Sequence, residues 1–81
     1  MTGTVTEINQ VRGMVAVATE EDFTIIELTE EGIEEGDQLS WSESHPQGSG
    51  TVKNLTQGRT VNVYFQNHWV SREQLRQQLL Y

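Results

Sequence analysis

The stretch TVNVYFQ, residues Thr60–Gln66, decides the fold class. Apolar residues at positions 61, 63 and 65 alternate with polar residues at positions 62, 64 and 66. That period of two is typical of a β-strand with one buried face. We therefore expect a strand that buries Val61, Val63 and Phe65 and presents the polar residues on its other face.

Short runs rich in β-branched and apolar residues precede this strand, separated by turn-forming residues. The hairpin tip Glu20–Asp22 is too acidic to bury, and the runs beside it are too apolar to expose, so those two runs are expected to pair antiparallel. The earlier predicted strands are Gly3–Asn9, Met14–Thr19, Phe23–Leu28, Gln38–Ser42 and Thr51–Leu55.

Two segments read as irregular. Residues Thr29–Asp37 carry two glycines, so we expect no more than a single helical turn at Glu30–Glu34, with Ile33 plugging one end of the fold. Residues Glu43–Gly50 hold the only proline and are expected to form the longest irregular loop.

The C-terminal segment Ser71–Leu80 is predicted to be a helix. Ser71 is a favourable N-cap, and a glutamine three residues later completes a capping box. Val70 and Leu75 are placed to form a hydrophobic staple. An apolar stripe that includes Leu75, Leu79 and Leu80 is expected to dock the helix on the strands.

Five or six short strands in 81 residues favour a single small domain, residues 1–81, that is mainly β. Closing the sheet into a barrel removes the open edges that a flat sheet of this size would leave. We therefore predict a small five- to six-stranded barrel with one C-terminal helix over residues 71–80.

Two stretches resemble known small barrels. The order GTVTEINQVRGMVAV, then an acidic loop, then FTIIEL is similar to the opening of an OB-fold barrel of the cold-shock type. The segment Ile33–Leu39, with Gly36-Asp37 before a strand, resembles the corresponding turn of OB-fold and SH3-like barrels. The OB resemblance implies binding of single-stranded RNA or DNA. Cold-shock domains use aromatic platforms on the second and third strands, where this chain has only Phe23.

Charge is divided unevenly along the chain, whose net charge is −7. Residues 1–50 carry eleven of the twelve acids and one base, whereas residues 51–81 carry four bases and one acid. The overall charge opposes long-range attraction to nucleic acid or anionic membranes. Opposite charge on the two halves would also suit head-to-tail self-association. Without cysteine or a signal-like N-terminus, we expect a cytoplasmic protein.

Enzymatic, metal and cofactor motifs are not found in the sequence, which predicts a non-enzymatic protein without a cofactor. The acidic runs lack the alternate spacing of a calcium loop and read as a solvated surface. The imidazoles of His45 and His68, with a carboxylate such as Glu43, are the remaining metal candidates, but nothing in their spacing makes them converge.

Amide, aromatic and basic residues concentrate in the C-terminal third, a mixture that binds polar protein surfaces or single-stranded nucleic acid. A protein partner is the preferred hypothesis, and nucleic acid is the alternative. A third interpretation is an ordinary solvent face, with Trp69 packed under the helix; Trp41 is expected in the core beside Leu39. The candidate partner-binding residues are Lys53, Arg59, Asn62, Tyr64, Gln66, His68 and Trp69.

Overall fold

A computed structural model describes residues 1–42 and 46–80, and within these residues the chain forms a closed antiparallel barrel of six strands with one C-terminal helix. The strand order is β1-β2-β3-β6-β5-β4, and β1 pairs with β4 to close the barrel. The predicted fold class is therefore confirmed. The elements are β1 (Thr2–Asn9), β2 (Met14–Ala18), β3 (Phe23–Leu28), β4 (Gln38–Ser40), β5 (Gly48–Asn54), β6 (Arg59–Val70) and α1 (Arg72–Leu80).

The inside of the barrel is filled by branched aliphatic and aromatic side chains from all six strands and from the loop before β4. Val61, Val63 and Phe65 are 0 %, 2 % and 3 % exposed, which confirms the register predicted for β6. Trp41 packs in the same core, 5.9 Å from Phe65 between ring centroids, as predicted. Ile33 is also buried there.

A second core lies outside the barrel, between α1 and the outer side of β2 and β3. Leu75 and Leu79 pack there with strand residues that include Ala16 and Ile25. The predicted capping box forms, with the Gln74 amide N–H donating to Ser71 Oγ over 3.2 Å and the Ser71 N–H donating to Gln74 Oε1 over 3.4 Å. The helix thus docks as expected; the side chain of Leu80 lies outside the described part of the chain.

Several element boundaries differ from the prediction because strand pairing overrides local turn signals. The glycine-rich start of β5 is a strand because Gly48 pairs with Phe65. The last strand runs on to Val70 because Phe23 of β3 pairs with it. β4 ends at Ser40, two residues earlier than expected.

No helical turn forms at Glu30–Glu34; the loop before β4 is held instead by a buried carboxylate. Asp37, 5 % exposed, accepts hydrogen bonds at Oδ2 from the Glu34 N–H over 2.9 Å and from the side-chain amides of Asn54 and Gln57 over 2.7 Å each. Burial raises the pKa of Asp37, but these three donors outweigh it and leave the pKa below its ordinary value of 3.8. The loop is thereby fastened to the turn between β5 and β6.

Candidate functional site

Tyr64 stands at the centre of the outer surface formed by β5 and β6. The residue is 43 % exposed, and its Cα partners are Ser49 on β5 and Glu27 on β3. The strand alternation that buries Phe65 turns Tyr64 outward. An aromatic ring is therefore presented to solvent on a hydrogen-bonded sheet, flanked by a hydroxyl on one side and a carboxylate on the other.

Neutral polar side chains surround Tyr64 along the two strands. Asn62 lies opposite Thr51, and Thr60 lies opposite Lys53. Lys53 places a positive charge at the end of this surface away from Ser49. Sequence reasoning missed Ser49, because the glycines beside it read as a loop; only its pairing with Tyr64 reveals it. We call this surface the β5–β6 face, and it comprises Ser49, Thr51, Lys53, Thr60, Asn62 and Tyr64.

Gln66 borders the β5–β6 face rather than standing fully exposed on it. Its side chain is half-buried, and its Nε2 donates a 2.7 Å hydrogen bond to Glu27 Oε1. The amide thereby fixes the carboxylate that lies next to Tyr64. This position differs from the expected one because the first β-bulge between β3 and β6 follows Phe65 and shifts the register there.

The backbone of Asn62 is held by the loop that follows β3. Its N–H donates to Glu30 Oε1 over 2.9 Å, and its carbonyl accepts from the Thr29 hydroxyl over 2.8 Å. Since β3 ends at Leu28, these two side chains replace the backbone hydrogen bonds that a longer β3 would make with this edge of β6. At Asn62, β6 is thus held on both of its edges, by this loop on one and by β5 on the other.

Arg59 lies away from this face, at the mouth of the barrel. Arg59 lies on the same side of β6 as Val61, two residues away. Its guanidinium lies over Gly32, because a Cβ added at Gly32 would come within 3.1 Å of Arg59 Cζ. It borders a groove whose other walls include Glu30, Glu31 and Glu34. Arg59 therefore borders acids in this groove, and it also lines a second, smaller groove together with Lys53.

His68 lies within β6, which continues past Gln66, where the predicted strand ended. Its Nε2 contacts the Pro46 carbonyl oxygen, and its Nδ1 lies 3.0 Å from the Thr24 hydroxyl. Because a carbonyl only accepts, Nε2 carries the proton and Nδ1 accepts from Thr24. His68 thus joins β3, β6 and the segment before β5; it is half-buried and stacks on Phe65.

Trp69, a candidate partner-binding residue, does not pack beneath the helix as the alternative interpretation placed it. The side chain is 58 % exposed, and its indole Nε1 donates a 3.1 Å hydrogen bond to Glu21 Oε2. The backbone of Trp69 has φ of 54°, a left-handed value that L-residues rarely adopt. It coincides with the second β-bulge between β3 and β6, which turns the ring outward. Trp69 lies roughly 15 Å along β6 from Tyr64.

No group of three or more histidine or carboxylate side chains within residues 1–42 and 46–80 is placed to hold a metal ion. His45 and Glu43 lie outside the described residues. In the same part of the chain, no helix has the length and apolar character that a membrane span requires.

The structure therefore brings together Lys53, Asn62 and Tyr64 on the β5–β6 face with Gln66 at its border. It places Arg59 at the barrel mouth and puts His68 and Trp69 at the far end of β6. Comparison of the chain with protein-family models, with curated proteins and with solved structures finds no match.

Proposed function

We propose that this protein is a non-enzymatic interaction module that binds a protein partner through the β5–β6 face. One observation carries the proposal: Tyr64 is 43 % exposed at the centre of a sheet face of hydroxyl and amide side chains, with the Glu27 carboxylate at its border. A large ring held in such surroundings is a typical anchor of a protein interface.

The composition of the β5–β6 face supports a protein partner. Tyrosine offers a large contact area with few rotatable bonds, while serine, threonine and asparagine supply adaptable hydrogen bonds, the combination used by binding loops of antibodies. With Lys53 as its charged member and Glu27 at its border, the face has few charges to desolvate. The best complement is a largely neutral polar partner surface with an acid opposite Lys53.

The support beneath the face favours binding as well. The Asn62 backbone is held by Glu30 and Thr29, and Glu27 beside Tyr64 is fixed by Gln66. Side chains on a backbone that is already ordered lose less conformational entropy when a partner binds.

Single-stranded nucleic acid is the second candidate, and the observation in its favour is the pair of exposed rings, Tyr64 and Trp69, on one strand. Bases stack on such rings. Each ring, however, has a carboxylate beside it, Glu27 and Glu21 respectively, which repels phosphate. A relationship of the barrel to OB-fold or SH3-like domains is part of this second proposal. The Gly36-Asp37 turn before β4 supports it. A cytoplasmic location also stays a prediction.

Site-specific photo-crosslinking tests the protein-binding face. Benzoylphenylalanine is placed at position 62 or 64, and at Glu7 on β1 as a control on the other side of the barrel, in the cells that make the protein. We expect one adduct of the same mass from positions 62 and 64 and none from position 7.

Three outcomes contradict the proposed face: equal crosslinking from position 7, no protein adduct from positions 62 and 64, or adducts with nucleic acid at those positions. An adduct of twice the protein's own mass identifies the partner as a second copy. Thermal melting of each variant confirms that the barrel is folded before its crosslinks are compared.

A further inference from the structure

The hairpin formed by β4 and β5 is paired at its base and splayed towards its loop. β5 pairs with β6 along all seven of its residues, but it pairs with β4 only at Asn54 and Lys53. After Ser40 the chain turns to β1 instead: the Trp41 N–H donates to the Met1 carbonyl, and the Met1 amino group donates to the Trp41 carbonyl, each over 3.0 Å. Within residues 1–42 and 46–80, one edge of β5 is thereby left without a neighbouring strand beyond its paired base.

The backbone groups along this edge belong to Ser49 and Thr51. The backbone N–H of Leu55, directly after β5, donates to the Gln38 carbonyl of β4 over 2.8 Å. The backbone groups of Leu55 therefore point towards β4. Backbone groups alternate between the two edges of a strand, which places those of Lys53, Thr51 and Ser49 on the same side. Within the described residues, no hydrogen bond from the β4 side reaches Ser49 or Thr51.

Two clefts lie along this edge. One, of about 270 Å³, runs between Trp41 and Ser42 on one side and the Ser49–Thr51 backbone on the other, with Phe65 in its wall. The second, of about 210 Å³, continues past Thr51 to Lys53. At Gly50 an added Cβ would lie 2.9 Å from the Phe65 ring, so a larger residue there would push that ring from its place.

Trp41 lines both clefts and has an unusual feature of its own. The side chain is 5 % exposed, yet its indole N–H is buried without an acceptor in the described part of the chain. Buried polar groups are nearly always hydrogen-bonded in folded proteins. Among the described residues, an unpaired donor and an unpaired strand edge therefore occur at the same place in the barrel wall.

We propose that this edge of β5 binds a short extended segment of the partner protein, which pairs with the backbone of Ser49 and Thr51. Strand addition of this kind takes its affinity from main-chain hydrogen bonds and its specificity from pockets beside the strand. The segment carries small or flat side chains towards the cleft beside Gly50. It carries an acidic side chain towards Lys53, the charged residue among the described residues that line the clefts.

This inference rests on the proposed function, because it names how the partner of the β5–β6 face is held. Two measurements test it on the full chain. The first is amide hydrogen exchange by NMR on the free protein. We expect the Ser49 and Thr51 amides to exchange at least 100-fold faster than those of Gly50 and Val52, which point to β6. Equal protection of all four amides would show that the edge is already paired and would overturn the inference.

The second measurement uses a random library of linear heptapeptides, displayed and selected against the immobilised protein, with the strongest binder resynthesised. We expect the peptide to slow exchange at Ser49 and Thr51 at least tenfold and to shift the Trp41 indole N–H signal. Thr51→Pro removes an edge donor without removing a donor to β6, and it is expected to weaken peptide binding at least tenfold. Failure to enrich any peptide contradicts the inference.

Tyr64→Ala separates the two claims. Binding that is weakened by Tyr64→Ala but unchanged in Thr51→Pro overturns strand addition and leaves the β5–β6 face standing. Binding that is lost in Thr51→Pro but unchanged in Tyr64→Ala supports the edge and contradicts a face centred on Tyr64. If Thr51→Pro does not fold, the exchange protection that the peptide gives at Ser49 and Thr51 in the unaltered protein decides the question.

Discussion

Asn54 and Asp37 meet inside the mouth of the barrel, where Asn54 Nδ2 donates a 2.7 Å hydrogen bond to Asp37 Oδ2. Asn54 ends β5 and is 1 % exposed, and the same Nδ2 also donates to the Gly32 carbonyl over 2.8 Å. One buried amide therefore joins the loop before β4 to the paired base of the β4–β5 hairpin. The position of β5, and with it the β5–β6 face, depends on this contact.

Replacing Asn54 by alanine is expected to lower the free energy of unfolding by about 2–4 kcal/mol. The substitution removes one of the three donors to the buried Asp37 carboxylate and the Asn54 donor to the Gly32 carbonyl, and an unsatisfied buried polar group costs more than a hydrogen bond contributes. Urea denaturation measures the change. Asn62→Ala, which removes an exposed amide, is the matched control and is expected to change stability by less than about 0.5 kcal/mol. Equal effects of both variants contradict the role of Asn54.

Stability is expected to fall on acidification, in part through Asp37. Its pKa is lower in the folded protein than its ordinary value of 3.8, so the unfolded chain takes up a proton first as the pH falls. The contribution of Asp37 is therefore complete well above pH 3.8 and is lost as the pH falls through the folded pKa. Asp37→Asn has no carboxyl group to titrate there. The free energy of unfolding of Asp37→Asn should decrease less between pH 6 and pH 3 than that of the unaltered protein. An equal decrease in both proteins would refute this prediction.

The left-handed backbone at Trp69 predicts an unusual order of stabilities. With φ of 54°, any L-residue there is disfavoured relative to glycine. Trp69→Gly and Trp69→Ala both remove the ring, so comparing them isolates the backbone. We expect the glycine variant to be more stable by about 1 kcal/mol in thermal or urea denaturation, the reverse of the usual order within a strand. An alanine variant that is equally or more stable would show a different backbone at this position.

The docking of α1 makes a further prediction. Leu75 is 6 % exposed within the core between the helix and the barrel, and its truncation to alanine should cost about 2–4 kcal/mol. Gln77→Ala, at an exposed position of the same helix, controls for helix propensity. A nine-residue helix is marginal alone in water, so loss of packing should also release its amides to hydrogen exchange. If Leu75→Ala melts within a degree of the control, α1 is a peripheral element.

The parts of the fold that could be predicted are those encoded by local pattern. Alternation gave the buried face of β6, and the Ser71–Gln74 pair marked the start of the helix, because both signals lie within a few adjacent residues. The Asp37–Asn54 contact was not predictable in this way, since its partners are 17 residues apart and meet only when the barrel closes.

The candidate site shows the same division. Tyr64 and Asn62 were assigned to one face by alternation, and the structure places them there. Trp69 was a candidate partner-binding residue, with burial under the helix as the alternative interpretation. Two β-bulges against β3 change the register after Phe65, and the residue is exposed at the far end of β6. A bulge depends on the partner strand, so β6 alone does not reveal it. Ser49 was missed for a similar reason, because its pairing with β6 turns a glycine-rich segment into a strand.

Hydroxyl-radical footprinting of the protein, alone and with the partner recovered by crosslinking from position 62, tests the central claim most directly. Tyr64 and Trp69 are both exposed rings on β6, and they lie in different surroundings, so each serves as a control for the other. Binding through the β5–β6 face predicts that the partner lowers the oxidation rate of Tyr64 several-fold and leaves that of Trp69 unchanged. Protection of Trp69 with Tyr64 still fully reactive would contradict the account.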